Sequence, residues 1–261
     1  MIPKTIHYCW FGRNPKPKLA EKCIKSWKKY CPDYEIIEWN EDNFDISSAP
    51  LYVRQAYEAK KWAFVTDYVR LYAMTKFGGI YMDTDVEVIK PLDRFLEHQA
   101  FSGFEDDVHI PTGIMACEKN FPLFNQFLAY YDDAKFYLED GTLNLKTNVE
   151  IMTQICVGKG LKQDNTYQVI DGFALYPKDV FCPVSYHTGE LEKTKNTVTI
   201  HWFAASWHTQ QEREQHARSV RRQKRLRRAE KLDYVIHTPN RVLKQLLGQE
   251  QYDRLKKRMK R

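Results

Sequence analysis

Hydrophobic and polar positions along this 261-residue chain change period several times, and each change marks an element. Ile2, Ile6, Tyr8 and Trp10 alternate with polar neighbours, which predicts a first strand over residues 1–10 ending at Phe11-Gly12. Apolar residues at 19, 23, 24 and 27 share a helical face, and Pro32 stops that helix. Residues 35–40, EIIEWN, predict a short second strand. Strand, helix and strand at this spacing form a βαβ unit and predict a parallel pair, the usual start of a nucleotide-binding half-domain.

Phe64, Tyr68, Leu71 and Tyr72 recur at i, i+4, i+7 and i+8 and predict a helix, after which Gly78-Gly79 feeds the apolar run Ile80-Tyr81-Met82, a buried strand. Pro91-Leu92-Asp93 closes that strand and opens a helix. Residues 101–105 and 112–117 predict two short strands, and 121–139 a long helix rich in Phe and Tyr. Residues 169–183 predict scaffold, with Tyr176 and Phe181 as packing residues. Residues 198–207 predict a strand that delivers His201, then a small-residue turn, Ala204-Ala205-Ser206, before Trp207. From residue 212 a helix with one narrow apolar stripe (Ala217, Val220, Leu226, Ala229) is otherwise basic; Thr238-Pro239 opens a second, with Val242, Leu243, Leu246 and Leu247, ending near Gly248.

At 43% hydrophobic and 14% aromatic residues, the chain can bury a full core and fits one α/β domain with appendages. No run approaches the ~20 apolar residues a membrane-crossing helix needs. The opening MIPKTIHYCWFG lacks the pattern of a secretory signal, so none is expected. The cysteines (Cys9, Cys23, Cys31, Cys117, Cys156, Cys182) show no Cys-x-x-Cys spacing, and a reduced, cytoplasmic protein is their simplest account. Charge is split: residues 211–261 hold 17 Lys/Arg against 6 Asp/Glu, a net of +11, while the chain as a whole is +6. Residues 1–210 are therefore mildly acidic, and the expected division is a catalytic domain over 1–210 and a basic helical extension over 211–261.

The candidate chemistry centres on Asp83-Thr84-Asp85. If this stretch is extended, both carboxylates point the same way, and they repel unless a cation lies between them. Carboxylate oxygens suit Mg²⁺ or Mn²⁺, and α/β sheets place ligands at the C-terminal ends of strands. Asp-x-Asp is also common in turns without a metal. Asp67 and Arg70, three apart on the preceding helix, read by themselves as a solvated ion pair. Trp10 reads either as a core aromatic or as a flat wall for a nucleotide base. A lone strand histidine such as His201 is more often structural than a ligand.

Residues 63–88, with the pattern A-x-x-x-D-x-x-R followed by G-G-x-Y-x-D-x-D, resemble the signature of the DxD sugar transferases grouped as glycosyltransferase family 32. That group includes mannosyltransferases and bacterial capsular-polysaccharide sugar transferases, and the catalytic domains of clostridial glucosylating toxins are similar to it. The resemblance implies a GT-A fold, Rossmann-like and binding a nucleotide-diphospho-sugar. It also implies a divalent metal (Mn²⁺ or Mg²⁺) and retention of anomeric configuration. It places Trp10 in the segment IHYCWFG against the donor base, and Asp67 and Arg70 on the transferred sugar. Asp85 becomes the direct metal ligand, Asp83 a ligand through water or a ribose contact, and His201 the third ligand. Ser206 and Trp207 fall near the leaving diphosphate. Residues 146–153 stand where the family has a Thr-Gly-Pro segment near the donor sugar; here Asn148 and Val149 replace Gly-Pro after Thr147.

The expected function is transfer of a hexose from a nucleotide sugar, a UDP-hexose such as UDP-galactose or UDP-glucose being favoured, to a hydroxyl of a glycan or lipid-linked oligosaccharide in capsular, exopolysaccharide or O-antigen synthesis. A mannosyltransferase using GDP-mannose is the alternative within enzymes. A metal-dependent nucleotide- or sugar-binding module without catalysis is the alternative outside them. The extension over 212–261 is expected to dock on an anionic membrane surface, placing the protein peripherally on the inner face of the cell membrane. It lacks the interleaved aromatics of single-strand binders, so no nucleic-acid partner is expected.

Overall fold

The computed structural model describes residues 1–204, 214, 215, 217–229, 232, 234, 248 and 251. β1 (Thr5–Cys9), α1 (Lys18–Tyr30) and β2 (Glu35–Trp39) open the chain. β1 and β2 run parallel, with Ile6 opposite Ile36 and Cys9 opposite Trp39, as the βαβ spacing dictates. α1 begins behind Pro17 and buries Ala20, Cys23 and Trp27 on one stripe.

α2 (Leu51–Glu58) and α3 (Trp62–Phe77) lead into β3 (Gly79–Met82). α3 ends at Gly78, whose φ of 69° and close approach to the Lys119 amide, 2.6 Å from an added Cβ, require glycine. There follow β4 (Val86–Val88), β5 (Ala100–Gly103), β6 (Ile114–Cys117), α4 (Pro122–Ala129), α5 (Asn148–Gly158), β7 (Gln168–Ile170), β8 (Phe173–Tyr176), α6 (Lys178–Phe181) and β9 (Thr199–His201).

Seven strands form one sheet in the order β2-β1-β3-β6-β5-β8-β7, and β4 pairs with β9 in a separate antiparallel ribbon. β1 is parallel to both β2 and β3, and β5 to β8, while β6 and β7 run antiparallel to their neighbours. The fold is therefore the expected α/β class with a mixed sheet. Alternation in β3 shows its layering: Tyr81 enters the core with Tyr52, Val65, Val69, Phe124 and Phe173, whereas Ile80 and Met82 enter the other with Trp27, Phe95 and Phe181.

Three expectations need correction. Asp83-Thr84-Asp85 is a turn closed by Val86 N–H donating to the Asp83 carbonyl at 3.0 Å, so strand alternation does not set the two carboxylates. The long helix over 121–139 stops at Ala129, because Tyr130-Tyr131-Asp132-Asp133 is a weak helix-forming run. Tyr131 and Phe136 instead turn inward onto Tyr52, with ring centroids 5.0 and 5.5 Å away. The strand expected over 112–117 begins only at Ile114, and that over 101–105 covers Ala100–Gly103.

The chain divides into two compact units, Met1–Tyr186 with Glu190–His208, and His187–Gly189 with Thr209–Arg261. In the second, residues 217–229 are helical. The helix expected around Val242, Leu243, Leu246 and Leu247 lies outside the described residues. Among those described, no helix is long and apolar enough to cross a membrane. The six cysteines are free and buried.

Candidate active site

Asp83 follows the last residue of β3, and everything around its carboxylate fixes it. Its amide donates to the Gly113 carbonyl at 2.8 Å. The hydroxyl of Tyr81, two residues earlier, donates to Asp83 Oδ1 at 2.8 Å, and Arg70 Nη2 lies 3.3 Å from the same oxygen. Arg70 also donates from Nη1 to the Thr112 carbonyl at 3.0 Å and covers the Tyr81 ring at 4.8 Å. Its other carboxylate neighbour is Asp67 Oδ1 at 3.5 Å. Asp67 and Arg70 are only 7% and 5% exposed, so they are a buried pair on α3 and not a solvated one. Asp67 Oδ2 accepts from the Asn148 amide at 3.3 Å, while Asn148 Nδ2 donates to the Asp67 carbonyl at 2.7 Å. The first residue of α5 therefore clamps α3, with Thr147 as its N-cap.

Asp85 is set by the ribbon. The register that places Val86 opposite His201 brings the imidazole beside Asp85, Nε2 lying 3.3 Å from Oδ1. The Ala204 amide donates to Asp85 Oδ2 at 2.7 Å, and the Trp202 amide to the Asp85 carbonyl at 3.0 Å. His201 stacks 4.1 Å from Phe203, and its other side meets Gly113, where an added Cβ would come within 2.6 Å of ring Cε1. Asp83, Asp85 and His201 thus each present a ligand atom, all within 4.8 Å of one another.

Electrostatics follow from burial. Burial pushes the Asp67 carboxyl up to about 6, against the pull of Arg70 and the Asn148 amide. Burial opposes the Arg70 charge, but Asp83, Tyr81 and Asp67 outweigh it and raise its pKa. Burial would also raise Asp85, yet His201 and the Ala204 amide hold it below the ordinary carboxylate range. Burial works against a charged His201, and Asp85 reverses this, holding it well above the usual imidazole value. Two carboxylates with one imidazole fit Mn²⁺ or Mg²⁺ chemically, and His201 Nε2 is the ring nitrogen beside Asp85. An ion there would take the place of the imidazole proton.

Trp10 follows β1 and Asp83 follows its parallel neighbour β3, so both residues lie at the C-terminal ends of adjacent strands. Its ring is half-buried, its Nε1 donates to the Asn14 carbonyl at 2.6 Å, and Lys16 Nζ sits 5.8 Å from the ring. Ser206 and Trp207 lie outside the described residues. Tyr81 reads in the sequence only as part of an apolar run, and nothing in local spacing shows that Gly113, before β6, meets His201 across the ribbon. Burial pushes the Glu105 carboxyl up to about 7; His201 opposes that rise, and Asp106 adds to it.

Residues 17–102 match the family model described as "Glycosyltransferase sugar-binding region containing DXD motif". That stretch, about a third of the chain, is similar to this family. The match spans α1 to β5 and holds Asp67, Arg70, Asp83 and Asp85. Two Schizosaccharomyces pombe (strain 972) proteins are similar to this DXD chain. Inositol phosphoceramide mannosyltransferase 3 is 30% identical over 129 residues, 48% of this chain and 36% of that protein. Inositol phosphoceramide mannosyltransferase 1 is 27% identical over 110 residues, 38% of this chain and 33% of that protein. The chain thus spans about a third of the length of the curated relatives it matches. Among solved structures, the PaToxG glycosyltransferase has a TM-score of 0.45 at 20% identity, over 61% of this chain and 72% of that one.

Proposed function

We propose that this protein is a metal-dependent glycosyltransferase moving a hexose from a nucleotide sugar to a hydroxyl of a glycan. The observation that carries this reading is the convergence of Asp83, Asp85 and His201 within 4.8 Å, beside the buried Asp67–Arg70 pair. The mannosyltransferase names of both similar fission-yeast proteins favour GDP-mannose over the UDP-hexoses expected from the sequence.

In the mechanism proposed, Asp85 and His201 would hold the ion directly, with Asp83 as third ligand or through water. When bound there, such an ion would supply Lewis-acid neutralisation of a departing diphosphate. Arg70, kept protonated and fixed by Thr112 and Asp83, adds positive charge on the same side and orients Asp83. Asp67 and Arg70 select the sugar through its hydroxyls, where a mismatched epimer leaves a buried polar group unpaired. Trp10 stacks on the base, and Ser206 and Trp207 contact the diphosphate. The bond from the anomeric carbon to the diphosphate breaks, and its electron pair leaves with the phosphate oxygen. The acceptor oxygen bonds to the anomeric carbon on the same face, retaining configuration, and its proton passes to the departing diphosphate.

Residues 212–261 dock on an anionic membrane surface, which brings the site to a lipid-linked acceptor and places the protein on the cytoplasmic side. Charge supports this: Arg218, Arg221, Arg222 and Arg225 line one groove with Leu226 and Ala229. Vesicles of phosphatidylserine and phosphatidylcholine should retain the full chain and release a chain cut before 212; equal retention of both contradicts docking. The activity itself is tested by nucleoside-diphosphate release from GDP-mannose, UDP-glucose and UDP-galactose with Mn²⁺. Release from one of them that Asp85→Asn abolishes supports the reading, and release from none contradicts it.

A further inference from the structure

The ribbon that carries His201 and follows Asp85 stands apart from the seven-stranded sheet, and β4 and β9 have three residues each. A two-stranded pairing of that length does not hold itself together in water. α1 supplies much of the hold. Trp27 Nε1 donates to the Val86 carbonyl at 2.7 Å, Ser26 Oγ accepts from the Val88 amide at 2.9 Å, and Lys22 Nζ meets Glu87 Oε2 at 2.8 Å. Lys22 and Ser26 lie one helical turn apart, with Trp27 next to them, so all three residues of β4 are tied to α1. The middle tie reaches further, because Glu87 also bonds the chain beyond β9.

Glu87 stands opposite Ile200, which makes Trp202 its diagonal neighbour across the ribbon. Trp202 Nε1 donates to Glu87 Oε2 at 3.0 Å, and Lys22 Nζ lies 5.4 Å from the centre of the indole. One carboxylate oxygen thus takes both the tie to α1 and the bond to the indole, on a side chain only 17% exposed. Just past the indole the backbone is strained: Phe203 has a φ of 50°, left-handed for a bulky residue. That turn returns the Ala204 amide to Asp85 Oδ2 at 2.7 Å, while the Trp202 amide bonds the Asp85 carbonyl at 3.0 Å. A residue in so sparsely populated a conformation stays there only if its neighbours hold it. Phe203 has the rings of His201 and Tyr186 beside it, at 4.1 and 5.4 Å, and the anchored Trp202 before it.

We infer that Glu87 is a positioning residue for the candidate ion site: by holding the Trp202 indole it keeps the Phe203 turn, and with it the Ala204 amide and the His201 ring, against Asp85. This rests on the proposed metal-dependent reading and adds to it a residue outside the three whose ligand atoms converge. Glu87 acts on Trp202 as a hydrogen-bond acceptor, so an amide oxygen at the same place keeps the role. Loss of that acceptor, or of the indole N–H, breaks it. Because the two side chains act through one bond, their losses overlap instead of adding.

The full chain and its Glu87→Ala, Glu87→Gln, Trp202→Phe and Glu87→Ala/Trp202→Phe variants are titrated with Mn²⁺ by calorimetry, in the presence of GDP and, separately, of UDP. A cooperative thermal transition in metal-free buffer verifies that each is folded at the titration temperature. The expected result is a Mn²⁺ Kd raised about tenfold or more by Glu87→Ala and by Trp202→Phe, the size usual for loss of a ligand's support. Glu87→Gln should stay within about threefold of wild type, and the double variant within about threefold of the weaker single one. Wild-type affinity in Glu87→Ala and Trp202→Phe would overturn the inference. So would a Glu87→Gln as weak as Glu87→Ala, or losses that multiply in the double variant. Should Glu87→Ala fail to fold, Trp202→Phe, which removes the N–H and keeps an aromatic ring, decides alone. A wild type that binds no Mn²⁺ with either nucleotide removes the ion site and the Glu87 role together, whereas wild-type binding with unaltered variants removes the Glu87 role alone.

Discussion

Gly113 lies flat against the imidazole of His201: a Cβ at this glycine would stand 2.6 Å from Cε1 and 2.7 Å from Nδ1. The same residue's carbonyl accepts from the Asp83 amide, so one glycine touches both ends of the candidate ion site. Gly113→Ala should displace His201 and weaken Mn²⁺ binding by roughly 10–100-fold, the usual cost of disturbing a ligand's support. Gly158→Ala is the control, since a Cβ there meets nothing within 4 Å. Calorimetric Mn²⁺ titration in the presence of GDP checks this, and equal affinity in both variants contradicts it.

Asn148 ties α5 to α3, donating to the Asp67 carbonyl at 2.7 Å and accepting from the Tyr131 hydroxyl at 2.5 Å, with no exposure to solvent. Asn148→Ala leaves those buried groups unpaired and should cost about 1–3 kcal/mol. Thermal unfolding should show a fall of roughly 2–4 °C for each kcal/mol lost. A melting temperature equal to wild type would contradict the clamp.

Trp10→Ala should raise the donor KM by about 5- to 150-fold, as expected for loss of about 1–3 kcal/mol of base stacking. The acceptor KM should stay near wild type. An unchanged donor KM would make Trp10 a packing residue of β1.

His7 gives a pH dependence with a definite sign. Its Nε2 is 3.0 Å from the Gly78 carbonyl and its Nδ1 accepts from Trp39 Nε1 at 3.2 Å, a neutral tautomer locked on both sides. Burial lowers its pKa to about 4, against the opposing Gly78 bond. Between about 6.5 and 4 the unfolded chain binds a proton that the folded chain does not, so stability present above 6.5 is lost as pH falls. Guanidinium unfolding at pH 7 and pH 4.5 should show the drop, and His7→Gln should flatten it; an equal slope in both contradicts the assignment.

The βαβ start, the strand before Asp83 and the helix carrying Asp67 and Arg70 were legible because each depends on local period. The juxtaposition of Asp85 with His201 is set by the pairing of Val86 with His201 across 115 positions, which no window of sequence contains. Only the family resemblance links those side chains in the sequence, and Asp83 and Asp85 are set by a turn and not by strand alternation. The helix expected over 121–139 ends at Ala129 because the aromatics that follow, Tyr131 and Phe136, are buried by turns and not by helical spacing.

The most direct measurement is thermal unfolding of the full chain and of Asp85→Asn with GDP, UDP and the three sugar nucleotides, each with and without Mn²⁺. Ligand at about 100 times its Kd adds about 2.7 kcal/mol, or roughly 5–10 °C. A rise of that size that needs one nucleotide and the metal together, and vanishes in Asp85→Asn, is the expected result. An equal rise in metal-free buffer, or no rise with any nucleotide, contradicts a metal-held diphosphate at Asp83, Asp85 and His201.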